Sequence, residues 1–264
     1  VKPVLKYPGA KARIADWVVD HFPAHRIYVE PFFGSGSVYF ELASRRRLVH
    51  AAINDKSADV VNFFKVMRDN PVELSRQLEL TPWAQDEFIG AKLRDDVEPM
   101  ERARRFAIRC FQGFGSRLSR APGWRVHGHA TAATISVWRD VPERITALAN
   151  ALLNCEIHNT DAVRMIEMYA GADVLIYADP PYPIDARKSR DTMYLHEMTL
   201  KDHERLLDAL IAHPGPVVVS GYAHKLYDGR LQGWTKVEKH TRNAMASRST
   251  EVLWVNRELG MRLV

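Results

Sequence analysis

The sequence predicts an α/β fold with a mostly helical block set into it, and three observations carry that expectation. Short apolar runs alternate with amphipathic segments at both ends of the chain. The two sharpest motifs each follow a predicted strand. Between about residues 61 and 140 the periodicity turns helical throughout.

Taken in order, an amphipathic helix is expected over Ala12 to His21, then a strand at Arg26-Ile27-Tyr28-Val29, a glycine turn and a helix from Ser37 to about Arg47. A second strand, Val49 to Ile53, ends at Asn54-Asp55. Apolar positions recur at helical spacing from Val61 to Met67 and from Phe106 to Phe111. After a helix at Val141 to Leu153, strands resume at Glu156 to His158, Ala172 to Ala178, Val217 to Val219 and Val252 to Val255. Residues 1–60 and 141–264 therefore read as one body, interrupted by residues 61–140.

Length bounds this plan: 264 residues suffice for one substantial core with an elaboration, not for two large domains. With 46% hydrophobic and 26% charged residues the composition is that of an ordinary folded protein. Two cysteines, Cys110 and Cys155, are too few for a disulfide scaffold and too far apart for a zinc knuckle, which fits a reducing compartment. No apolar run is long enough to span a bilayer and no signal-peptide core stands at the N-terminus, so a soluble, cytoplasmic protein is expected. A net charge of +5 favours encounter with a polyanion without specifying one.

The first motif is Glu30-Pro31-Phe32-Phe33-Gly34-Ser35-Gly36-Ser37, between a strand and a helix. Glycines there permit a tight turn and close approach of a ligand to the backbone. Asp55 ends the next strand, at the interval where Rossmann-like folds place an acid on ribose hydroxyls. The plainer reading is a chain reversal plus a helix cap. A third glycine is missing, which disfavours a dinucleotide.

The second motif is Asp179-Pro180-Pro181-Tyr182, at the carboxyl end of a buried strand, the edge where open α/β sheets hold ligands. An aromatic exocyclic amine is a poor nucleophile because its lone pair is delocalised into the ring. Two acceptors, the Asp179 carboxylate and the Pro180 carbonyl, suit its two hydrogens and favour a pyramidal nitrogen. The prolines stiffen the turn and withhold backbone donors. Tyr182 can stack on a base removed from a duplex. A proline-rich turn without chemistry is the competing reading.

Together these residues resemble the Dam-like, or D12-class, DNA adenine-N6 methyltransferases, over nearly the whole chain. Lys6-Tyr7-Pro8-Gly9-Ala10-Lys11 looks like that family's N-terminal cofactor motif, with Ala10 where a second glycine is usual. Phe33-Gly34-Ser35-Gly36 matches its glycine motif, Phe111 to Gly115 the lead into its DNA-reading hairpin, and Thr250 to Asn256 its closing strand. The resemblance implies a class I S-adenosylmethionine-dependent methyltransferase, a Rossmann-like sandwich with a mostly helical target-recognition insertion at 61–140. In it, a mostly parallel sheet carries helices on both faces, and Thr235 to Thr241 can pair with Val252 to Val255. It implies S-adenosylmethionine as cofactor, held by Tyr7, Lys11, Phe33, Gly34, Ser35, Gly36, Asp55, Asp161 and Asp179. It also implies Asp179 to Tyr182 as the catalytic stretch, direct transfer to N6 of a flipped-out adenine, and no metal.

Double-stranded DNA is the expected partner, with a cognate restriction endonuclease as a candidate protein partner. Between Glu101 and Ala130 stand seven arginines against the single acid Glu101. Arg102, Arg105 and Arg109 fall at helical spacing and suit a phosphate-facing stripe. Arg117, Arg120 and Arg125, with Trp124, lie in a loop able to reach bases, arginine being the usual bidentate reader of guanine. Arg242 and Arg248 flank a second loop that can close on DNA. His127 and His129 lack the partners of a metal site. Competing functions are N4-cytosine methylation, glutamine-N5 methylation, an RNA substrate, and a nucleic-acid-binding protein without catalysis.

Overall fold

The computed structural model describes residues 2–45, 50–93, 95–114, 123–126, 129–186, 196–242 and 248–257. The first half runs α1 (Ala15–Asp20), β1 (Ile27–Glu30), α2 (Ser37–Arg45), β2 (His50–Asn54) and α3 (Ala58–Asp69). A helical series follows: α4 (Pro71–Glu79), α5 (Gln85–Gly90), α6 (Pro99–Gln112), α7 (His129–Arg139) and α8 (Val141–Ala149). The chain then returns to alternation with β3 (Cys155–His158), α9 (Ala162–Met168), β4 (Val174–Ala178), α10 (Leu200–Ala212), β5 (Val217–Gly221) and α11 (Lys225–Arg230). It closes with the hairpin β6 (Thr235–Arg242) and β7 (Arg248–Val255).

The strands form one seven-stranded sheet in the order β3-β2-β1-β4-β5-β7-β6. Pairing from β3 through β5 is parallel, whereas β7 runs antiparallel to both β5 and β6. This is the mostly parallel sheet with an antiparallel C-terminal element that the resemblance implies, including the pairing of Thr235 with Val255. β4 (VLIYA) and β5 (VVVSG) are buried at every position, as expected for strands covered on both faces.

Strand alternation divides the core in two. Tyr28, Ala51, Ile53, Leu175, Tyr177 and Val218 point to one face, where they meet side chains of α1 to α8. Val29, Ala52, Ile176, Val217, Val219 and Trp254 point to the other, against α9, α10 and α11. The helical block at 61–140 thus shares a continuous core with the sheet. α3 straddles its expected N-terminal edge.

Both cysteines lie in that core. Burial pushes each thiol up to about 12, so neither forms the reactive thiolate at neutral pH. A thiol-reactive dye is expected to modify no Cys110 and no Cys155 in the native protein, and both in denaturant. Rapid native labelling of either would contradict this burial.

Candidate active site

β1 has β2 on one side and β4 on the other. The chain therefore winds outward in two directions from this pair, leaving a crevice above their carboxyl ends, the usual ligand site of open α/β sheets. A cleft of about 1110 Å³, part of it open to solvent, occupies that position.

The glycine turn forms one wall. The Phe33 amide donates to the Asn54 carbonyl at 2.8 Å and Gly36 back to Phe33 at 2.8 Å. Gly34 and Gly36 adopt φ of 52° and 67°, the left-handed region that side chains disfavour. A Cβ at Gly36 would lie 2.6 Å from Phe33 Cζ, and one at Gly34 3.1 Å from Tyr7 Cδ1. Phe33 itself packs edge-on against Phe64 at 4.7 Å and is 4% exposed, so it is chiefly a core ring whose edge borders the cleft. Ser35 Oγ lies 2.7 Å from Ser37 Oγ.

Asp55 closes the turn: Oδ2 accepts from the Gly34 amide at 2.9 Å and Oδ1 from Ser57 at 2.8 Å. Burial raises this carboxyl to about 6, while the two amides pull it down. Asp161 caps α9 by accepting from the Val163 amide at 3.1 Å, and apolar Phe32, Met198 and Leu206 also face the cleft. Asn54 escaped the sequence reading. Its Nδ2 donates to Pro31 O at 3.0 Å and Thr160 O at 3.1 Å, and its Oδ1 accepts from Thr160 N at 2.8 Å. One buried amide thus ties together the ends of β1 and β2 and the connection into α9.

Tyr7, Lys11, Asp179 and Pro181 also line the cleft. Lys11 Nζ donates to Asp179 Oδ2 at 2.8 Å and to Gly9 O at 3.0 Å, and is only 6% exposed. Ser220 Oγ donates to Asp179 Oδ1 at 2.7 Å. An ionised carboxylate offers about four lone-pair directions, so each oxygen retains acceptor capacity. Lys11 Nζ also sits 4.8 Å from the Tyr182 ring centre. The Tyr182 hydroxyl donates to Glu251 Oε2 at 2.8 Å, and its ring meets Tyr222 edge-on at 4.6 Å. Burial, with Asp179 and Glu251 nearby, holds the Tyr182 phenol well above its ordinary range.

Beneath the cleft, Glu30 is 3% exposed and accepts from Tyr28 OH at 2.8 Å. Burial holds its carboxyl well above the usual range, opposed by the Tyr28 bond and reinforced by Asp179 and Asp55. No local motif gives Ser220, Tyr222 or Glu251 a role at this site, and Glu30 enters the sequence reading only as the first residue of the glycine stretch. Only strand register could have placed the first three near the tetrapeptide.

The basic segment differs from expectation. Arg102, Arg105 and Arg109 do not form a free phosphate-facing stripe: Arg102 and Arg109 both bind Asp59 at 2.7 Å, and Arg105 binds Glu101 at 2.8 Å. Asp59 belongs to α3, far from the Glu101–Ala130 segment in sequence, so the local excess is partly spent inside the protein. Arg125 is also not an extended arm. It is 9% exposed, donates to Gly113 O at 3.1 Å and lies 6.0 Å from the Phe114 ring centre. Trp124 packs half-buried on the core and its Nε1 donates to Gln112 Oε1 at 3.3 Å.

Phe114 N donates to Gly123 O at 2.9 Å and Arg125 N to Gln112 O at 2.8 Å, forming the base of an antiparallel ribbon. Arg117 and Arg120 lie outside the described residues. Arg242 and Arg248 are the terminal register pair of the β6–β7 hairpin. Among the described residues no group of three or more His, Cys, Asp or Glu is gathered for a metal ion, and no helix is long and apolar enough to cross a membrane.

This sheet order, with a glycine turn and an acid above β1 and β2 and a second acid at the end of β4, is a Rossmann-like fold with a ligand cleft at its switch point. The chain belongs to the D12 class N6 adenine-specific DNA methyltransferase family, whose profile matches residues 7–243. It is similar to a type II methyltransferase of Methanocaldococcus jannaschii, 24% identical over 78% of this chain and 78% of that protein. It is also similar to a type II methyltransferase of Lactococcus lactis, 26% identical over 79% and 75%, and to the DNA adenine methylase of Serratia marcescens, 26% identical over 84% of each. The family makes the chain a transferase that modifies adenine in DNA.

Proposed function

We propose that this chain uses S-adenosylmethionine to methylate N6 of an adenine extruded from double-stranded DNA, with Asp179 to Tyr182 as the catalytic stretch. The observation that carries this reading is that the Asp179 carboxylate shares one cleft with the glycine turn, Asp55 and Asp161. The residues fit the cofactor. Left-handed glycines let a ligand approach the backbone, Asp55 can accept from ribose hydroxyls, and Asp161 with apolar Met198 and Leu206 suits a purine. Tyr7, Lys11, Phe33 and Ser35 complete this wall. When bound, the cofactor supplies an electrophilic methyl group.

The chain's own residues prepare the nucleophile. Asp179 and the Pro180 carbonyl accept hydrogen bonds from the two amine hydrogens and concentrate the lone pair on nitrogen; as the nitrogen–methyl bond replaces the donor's sulfur–methyl bond, one of these hydrogens leaves as a proton. Lys11 and Ser220 hold the carboxylate in place, and Pro181 stiffens the turn. Tyr182, its hydroxyl anchored on Glu251, presents its ring to the extruded base. The electrophile is already activated, so the scheme needs no metal.

Residues 1–60 and 141–264 supply this chemistry, and the block at 61–140 supplies target recognition. Arg117 and Arg120, which stand in the sequence between Phe114 and Gly123, are the residues assigned to base edges in this reading. Trp124 and Arg125 brace the Gln112–Arg125 pairing and stand at the edge of the DNA contact, and Arg242 and Arg248 flank a second one. Arg117→Ala or Arg120→Ala is expected to reduce discrimination between target and non-target duplexes about tenfold or more, with unchanged cofactor affinity. Unaltered site preference in both variants would move recognition elsewhere. Because two of the relatives are type II methyltransferases, a restriction endonuclease is a candidate partner.

The reading is tested by incubating the protein with S-adenosylmethionine and unmethylated DNA, followed by digestion to nucleosides and mass spectrometry. N6-methyladenine is expected. N4-methylcytosine, or no modified base, would overturn the assignment.

A further inference from the structure

β4 and β5 pair in parallel with Ala178 opposite Val219. Continuing that register sets Ser220 beside Asp179. Tyr177, Asp179, Val218 and Ser220 are alternate residues of two adjacent strands and so share one face of the sheet. Ser220 is 1% exposed, with its Oγ 2.7 Å from Asp179 Oδ1 and 3.1 Å from the Tyr177 hydroxyl.

The direction of this chain of hydrogen bonds follows from the donor inventory. An ionised carboxylate only accepts, so the single Ser220 hydrogen is committed to Asp179. The Ser220 oxygen can then only accept from Tyr177. Tyr177 has a hydrogen to give, because burial and the nearby Asp179 hold its phenol well above the ordinary range. The relay therefore runs from Tyr177 to Ser220 to Asp179.

The terminal torsion of an aspartate is broad, and a carboxylate bound at one oxygen can still pivot about that bond. Lys11 binds Oδ2. A second donor on Oδ1 removes the pivot and leaves the remaining lone pairs in one orientation. We propose that Ser220, ordered by Tyr177, is a positioning residue for methyl transfer: it fixes the plane of the Asp179 carboxylate against which the amine hydrogens must align. This inference rests on the reading of Asp179 given above.

The predicted signature is kinetic. Ser220→Ala is expected to lower the single-turnover rate of transfer about tenfold to hundredfold, the usual scale for a misplaced reacting group. Cofactor and DNA dissociation constants should stay within about twofold, since neither ligand needs Ser220 in this scheme. Tyr177→Phe removes only the far hydroxyl and should cost less, about threefold to tenfold. Because Tyr177 acts through Ser220, the double variant should be no slower than Ser220→Ala alone.

The experiment is a single-turnover assay of the wild type, Ser220→Ala, Tyr177→Phe, the double variant and Asp179→Ala. Enzyme is in excess over a methylatable duplex, and the melting temperature and both dissociation constants are measured alongside. A Ser220→Ala rate within twofold of wild type overturns the inference. So do additive losses in the double variant, or losses that track weakened ligand binding. Failure of the parent reading looks different: the wild type would then form no N6-methyladenine, or Asp179→Ala would retain turnover.

Discussion

Asp179→Ala is expected to cut N6-methyladenine formation at least about hundredfold, the usual cost of deleting a preorganised polar group that acts in the transition state. The affinity for S-adenosylmethionine should change far less, because the glycine turn, Asp55 and Asp161 are untouched. The variant also removes the 2.8 Å ion pair between Asp179 and Lys11, a lysine only 6% exposed. Breaking such a pair by removing one partner costs about 3 kcal/mol, so the melting temperature should fall too. Asp179→Asn separates the two effects. It keeps an acceptor for Lys11 and nearly the same shape, so it should restore much of the stability and little of the rate. Retained turnover in Asp179→Ala, measured by nucleoside mass spectrometry, would remove the carboxylate from the mechanism.

Gly36→Ala should have the second largest effect, and on the other ligand. Residue 36 combines φ of 67° with a Cβ position 2.6 Å from Phe33 Cζ and 2.9 Å from Phe40 Cε2. A left-handed alanine costs about 1 kcal/mol, and overpacking a filled core adds about 1–3 kcal/mol. Phe33 cannot retreat freely, because Phe64 stands edge-on at 4.7 Å and Tyr39 at 5.7 Å. Relief must come from the turn, which displaces the Gly34 amide from Asp55. Calorimetric titration should therefore show cofactor affinity lowered at least about tenfold, together with a reduced melting temperature. Normal affinity would mean that this turn does not shape the cofactor wall.

The alternation of strands and helices, the glycine turn with its following acid, and the tetrapeptide at a strand end could all be read before folding, because each is local. Periodicity fixes which face of an element is buried, and β4 and β5 announce their central place by unbroken apolar composition. Asn54 was legible only as a strand end; its clamp on Pro31 and Thr160 needs three separate segments to meet. Glu251 and Ser220 likewise acquire meaning from register alone. The arginines misled for the converse reason. Charge counted along a helix ignores Asp59, which approaches from the neighbouring α3, and nothing local marks Arg125 for burial.

The Lys11–Asp179 contact joins positions 168 apart in the chain, and β1 has as its two neighbours the next strand, β2, and the distant β4. On the ribosome the N-terminal half therefore waits. β1 is available early, but its second neighbour is synthesised only after β2, the helices α3 to α9 and β3. Closing so long a loop is entropically costly and slow. The Asp179 carboxylate and Lys11 meet only when most of the polypeptide exists. The cleft above β1 and β4 can therefore be completed only late in synthesis, with the central pairing of the sheet.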